Sequence, residues 1–88
     1  MMYNVKIEGP FGDITENRYV TDISLVKILR ALHTFISEGW EPQEIMRSIT
    51  IDGYHHNFMT MDPEELEEYI YNMIETYMDT GIGCYKPQ

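Results

Sequence analysis

Three histidines, one cysteine and fifteen carboxylates are the side chains of this 88-residue chain whose types could support chemistry. A zinc centre needs three or four nitrogen, sulfur or oxygen ligands converging tetrahedrally on one point. His55 and His56 are adjacent, and neighbours on a strand point to opposite faces, so they cannot chelate one ion together. A site would need His33, one of that pair and Cys84 to meet; the expectation is that they do not. A nucleophilic cysteine requires a nearby base and an electropositive setting. Cys84 instead lies beside Gly83 in a strongly acidic chain, which raises a thiol pKa. Glu67 and Glu68 are paired carboxylates, but an exposed helix offers nothing to separate their pKa values. There is no glycine-rich phosphate loop, nucleophile elbow or metal-protease motif. The expectation is a protein without catalytic residues, cofactor or metal.

The acids are more informative as a pattern. Asp62-Pro63-Glu64-Glu65-Leu66-Glu67-Glu68-Tyr69 opens a helix within a chain of net charge -9. Glu64, Glu68, Glu75 and Asp79 fall on one outward stripe, its four-residue steps rising ~6 Å. Phosphates along a nucleic-acid strand lie ~7 Å apart, so such a helix can imitate one edge of a duplex. Early glutamates suit the positive end of a helix dipole, which accounts for Glu64, Glu65 and Glu67. It does not account for Glu75 and Asp79, and no lysine or arginine lies between Asp62 and Asp79 to relieve their repulsion. Tyr71 points toward the same face. Carboxylates interleaved with a ring suit an arginine-bearing surface, the acids pairing and the ring stacking on the guanidinium. The candidate partner-binding set is therefore Glu64, Glu65, Glu67, Glu68, Tyr71, Glu75 and Asp79.

The surrounding elements must present this helix. Tyr3, Val5 and Ile7 alternate with Asn4, Lys6 and Glu8, which predicts a half-buried strand, and Gly9–Asp13 predicts a turn into a second strand from Ile14 to Val20. Thr21 and Asp22 are helix caps ahead of Leu25, Leu29, Leu32 and Ile36, with Gly39 as the stop. Trp40 is expected to fold back, and Pro42 to keep the helix from restarting. Ile45, Ile49 and Ile51 predict a third strand. Asp52-Gly53 predicts a two-residue type I′ turn pairing Ile51 with Tyr54 and Ile49 with His56, and a fourth strand through Phe58 toward Thr60. Asp62 is the next N-cap, Pro63 the first helical residue and Glu65 the capping-box acid. Leu66, Tyr69, Ile70, Met73, Ile74 and Tyr77 form the buried stripe, and Gly81 ends the helix. The order ββαββα predicts an α+β two-layer sandwich: a four-stranded antiparallel sheet with two helices on one face.

Length bounds the rest. The chain, residues 1–88, is expected to be a single domain with one thin core. Fifteen acids against six bases oppose direct contact with nucleic acid or an anionic membrane and favour a basic partner. A lone cysteine and an alternating N-terminus without a long apolar run lead us to expect a soluble, cytoplasmic protein. Seven methionines, Met46, Met59, Met61, Met73 and Met78 among them, fill a core or form a plastic contact surface.

Tyr19-Val20 followed by an amphipathic helix ending Phe35-Ile36-Ser37-Glu38-Gly39-Trp40 resembles the strand–helix–Gly-Trp segment of one family of phage-encoded anti-CRISPR inhibitors of type II nucleases. Glu64-Glu65-Leu66-Glu67-Glu68-Tyr69-Ile70-Tyr71-Asn72 is similar to that family's acidic, tyrosine-bearing C-terminal helix. The resemblance implies a non-catalytic phage or mobile-element inhibitor that acts in the host bacterial cytoplasm. It would occupy the nucleic-acid groove of a basic partner, a CRISPR nuclease or other DNA-handling enzyme, as a DNA mimic. The alternative expectation is a protein–protein interaction module, or a homodimer or other homo-oligomer subunit. It would use the open sheet face, were Met46, Met59 and other apolar groups displayed there.

Overall fold

The alternation that begins at Met2 builds β1 (Met2–Glu8), buried at Tyr3, Val5 and Ile7. A computed structural model describes the backbone of residues 2–81 and the side chains of residues 2–78. Cys84 and the predicted tail Gly83–Gln88 lie outside the described residues. After the Gly9–Asp13 turn, β2 (Ile14–Thr21) returns antiparallel, with Tyr3 opposite Val20 and Val5 opposite Arg18. The Thr21 hydroxyl accepts from the Ser24 N–H at 3.1 Å and caps α1 (Asp22–Ser37). That helix buries Leu25, Leu29, Leu32 and Ile36. It stops as expected at Gly39, whose φ of +101° favours glycine. The N–H groups of Gly39 and Trp40 donate to the carbonyls of Ile36 and Phe35, each at 3.0 Å.

The next segment corrects the sequence reading. Pro42 does more than prevent a restart: it begins a 3₁₀ turn, Pro42–Glu44. The Glu44 carboxylate accepts from the Glu41 N–H at 3.0 Å. The Ile45 and Met46 N–H groups both donate to the Pro42 carbonyl, at 2.9 and 2.8 Å. Those donors are therefore absent from the ladder, and β3 runs only over Ser48–Ile51. β4 (Tyr54–Asn57) is also shorter than expected. Phe58 follows it, donating its N–H to the Arg47 carbonyl at 3.0 Å and burying its ring completely.

The hairpin between them agrees with expectation in turn and register. Asp52 (φ 50°) and Gly53 (φ 89°) both take positive φ, and Ile51 pairs with Tyr54 and Ile49 with His56. Asp52 also ties the turn to β1. Its carboxylate accepts from the Asn4 N–H, and its own N–H donates to the Asn4 carbonyl, both at 2.8 Å.

The sheet order is β2-β1-β3-β4, with β1 opposite Ile51 at Val5 and opposite Ile49 at Ile7. Tyr3, Val5, Ile7, Val20, Ile49 and Ile51 thus share one face, and the two helices cover it. α2 (Pro63–Gly81) contributes Leu66, Ile70, Met73 and Ile74 to the core, while Tyr77 meets Tyr3 edge-on at 5.2 Å. The expected α+β sandwich is the observed architecture. By register, the open face carries Asn4, Lys6, Asn17, Thr50 and His55 together with the exposed Met2, Ile14 and Tyr19. The face is therefore mixed, and the two methionines expected on it lie elsewhere: Met46 is drawn into the core after the 3₁₀ turn, and Met59 sits in the loop after β4. No helix among the described residues is long and apolar enough to cross a membrane.

Candidate interaction surface on the second helix

α2 starts where sequence chemistry puts it. The Asp62 carboxylate accepts from the Glu65 N–H at 2.9 Å, and the Glu65 carboxylate accepts from the Asp62 N–H at 3.3 Å, a reciprocal capping box. With the buried stripe fixed against α1 and the sheet, Glu64, Glu68, Tyr71 and Glu75 project outward, all exposed. At 3.6 residues per turn they occupy an arc of about 80° together with position 79. Tyr71, half exposed at 51%, stands in the middle of the ridge. Its hydroxyl is hydrogen-bonded to the Glu75 carboxylate, and that bond and the carboxylate's charge raise the phenol pKa above its ordinary value.

The seven expected contact residues divide into groups. Glu65 is engaged in the cap, and Glu67 is half-buried, its carboxylate accepting from the Ser37 hydroxyl at 2.5 Å at the end of α1. Glu64 and Glu68 make no hydrogen bond or ion pair among the described residues. The Asp79 side chain lies outside the described residues. From α1, His33 approaches Tyr71 with ring centres 6.2 Å apart, and the Arg30 guanidinium reaches the Met78 sulfur at 3.3 Å. The ion pair found among the described residues joins Arg18 to Glu16 at 2.7 Å on β2, away from α2. The ridge is thus acidic without a neutralising cation of its own among the described residues. Its i,i+4 repulsions are each worth about 0.2–0.5 kcal/mol, and its ~6 Å spacings lie inside the ~8 Å screening length of physiological salt. An approaching cationic surface experiences them as one field.

The histidines separate as strand geometry requires. The His55 Nδ1 meets the Thr50 hydroxyl at 3.1 Å on the open face, while the His56 Nδ1 meets the Tyr69 hydroxyl at 2.5 Å on the helix side. Among the described residues no three His, Cys, Asp or Glu side chains converge as metal ligands. His56 is half-buried, and its Nε2 has no hydrogen-bond partner among the described residues. Burial, then the neighbouring His55, push its pKa below the ordinary imidazole value. A base with a lowered folded pKa binds fewer protons folded than unfolded. Its stabilisation is therefore full above about pH 6.5 and is lost as the pH falls from there through the folded pKa. Urea midpoints measured from about pH 7.5 to 5.5 should fall more steeply for the native chain than for His56→Gln. Parallel slopes would remove His56 as the cause.

Sequence reasoning missed an apolar cleft beside the helix start, where Ile36, Trp40, Pro42, Met59, Met61 and Leu66 meet. They come from separate segments, so no local period reveals them. The available signal was three large apolar residues at loop positions, Trp40 and Met61 each two residues before a proline and Met59 two residues before Met61. Comparison with protein-family models, curated proteins and solved structures gave no significant match to this chain.

Proposed function

We propose that this chain is a non-catalytic inhibitor, encoded by a phage or mobile element, that works in the bacterial cytoplasm by binding a basic nucleic-acid-handling protein. The observation that carries this reading is the outward ridge Glu64, Glu68, Tyr71 and Glu75, which lacks a cation partner among the described residues. A groove built for phosphates presents arginines and lysines at repeated intervals. The ridge offers carboxylates at comparable intervals, with one ring for a guanidinium to stack on. Inhibition is then competition for the groove, without turnover. The sequence resemblance makes a CRISPR nuclease the first partner to test, ahead of other DNA-handling enzymes.

The test is competition with a labelled duplex on a purified CRISPR nuclease. Raising salt from roughly 0.05 to 0.3 M should weaken the inhibitor's binding by about tenfold or more, because charge attraction carries it. The inhibitor and the duplex should exclude each other. Simultaneous binding of both, or affinity indifferent to salt, would refute mimicry for that partner.

A further inference from the structure

The corner where α1 ends, the 3₁₀ turn passes and α2 begins holds a cleft of about 170 Å³. A cavity of ~150 Å³ with apolar walls takes a benzene ring, so this cleft has room for one leucine- or phenyl-sized group. Its floor is core, Ile36 and Leu66 being buried, while its rim is open: Trp40 is 47% and Met59 43% exposed. The Trp40 ring is propped edge-on against Phe35 at 5.9 Å, and its indole N–H has no partner among the described residues. An indole held upright beside two methionines is an adaptable apolar wall with a free donor at its edge.

What surrounds the cleft selects its occupant. Glu41 lines it, and Glu38 and Glu44 flank Trp40 on its rim. None of these carboxylates forms an ion pair among the described residues. An apolar wall alone accepts any apolar side chain; a rim bearing Glu38, Glu41 and Glu44 rejects acidic segments and attracts basic ones. We propose that the cleft seats one large apolar side chain from a lysine- or arginine-flanked segment of a partner protein. The apolar group anchors, and the flanking cations pair with the rim. This deepens the reading above and rests on it only in taking the partner to be basic. It adds an apolar anchor at the α1–α2 corner to the charged contacts of the ridge.

Trp40 is the single tryptophan, so its emission reports on the cleft directly. The probes are the synthetic peptides Lys-Arg-Leu-Arg-Lys, Lys-Arg-Gly-Arg-Lys and Glu-Glu-Leu-Glu-Glu, titrated to millimolar concentration and followed by fluorescence and methyl NMR. The leucine peptide should blue-shift Trp40 and move the Ile36, Met59 and Met61 methyls. The glycine peptide should bind about tenfold more weakly, the fold-change that burial of one leucine supports. The acidic peptide should not bind. Met59→Asn, a neutral change at an exposed rim position that leaves the core intact, should reduce the leucine peptide to the level of the glycine peptide while circular dichroism is unchanged. Equal binding of both basic peptides, with shifts confined to Glu68, Tyr71 and Glu75, overturns the cleft and leaves the ridge standing. Absence of shifts on either surface overturns both. Binding of the acidic peptide overturns charge selection. A concentration-dependent dimer that closes the cleft would make a second copy the occupant and overturn the proposal.

Discussion

Reversing Glu68 and Glu75 to lysine should lower affinity for the basic partner by about 100-fold or more, since two attractive contacts become repulsive at once. The same change should stabilise the fold. Glu64 and Glu68 are four residues apart on α2, as are Glu75 and residue 79, an aspartate. Each such repulsion, about 0.2–0.5 kcal/mol, becomes an attraction of similar size. The two pairs together gain about 0.8–2 kcal/mol. Loss of the exposed Tyr71–Glu75 hydrogen bond offsets part of this, and the melting temperature should still rise by a few degrees at most. Opposite signs for binding and stability exclude simple unfolding as the cause of lost binding. The reversals move net charge from -9 to -5, so a control with Asp13 and Glu16 reversed separates overall charge from the ridge. Asp13 lies in the β1–β2 turn and Glu16 on the edge strand β2, neither on α2, and the exposed Glu16–Arg18 pair contributes little. If the ridge variant still binds normally, or the control loses as much affinity, α2 is not the interface.

Phe58→Ala should be the most damaging single truncation, costing about 3–5 kcal/mol. Phe58 is fully buried at the point where β4 ends and packs edge-on to Tyr69 of α2, ring centres 6.5 Å apart. A domain of this length has roughly 4–13 kcal/mol in total, so a large share would be lost. Urea unfolding measures it directly. Phe58→Leu, which refills part of the space, should recover more than half. A truncation cost under about 1 kcal/mol would show that this ring does not join hairpin to helix as the contacts indicate.

How much of this was legible in the sequence depended on how local the cause was. The Asp52-Gly53 turn, the Asp62–Glu65 cap and the Gly39 stop each follow from a few adjacent residues, and each stands where chemistry puts it. The start of β3 was misjudged because Ile45 and Met46 have strand-like composition. Only the hydrogen bonds to the Pro42 carbonyl show that their donors are already taken. The outward direction of Glu64, Glu68 and Glu75 follows from helical period alone. The Ser37 hydroxyl bonded to Glu67 could not be read, because it depends on how α1 meets α2. The cleft at Trp40 was invisible for the same reason. Nor does periodicity say which strand lies in the middle of the sheet.

That last point reaches beyond packing. β1 hydrogen-bonds to β2 on one side and β3 on the other, and α1 leans on α2. The two β-β-α halves are therefore joined along a seam and do not stack as separable modules. Severed in the linker between Gly39 and Pro42, each fragment would expose a raw sheet margin and half an oily interior, and each would be the other's natural template for reassembly.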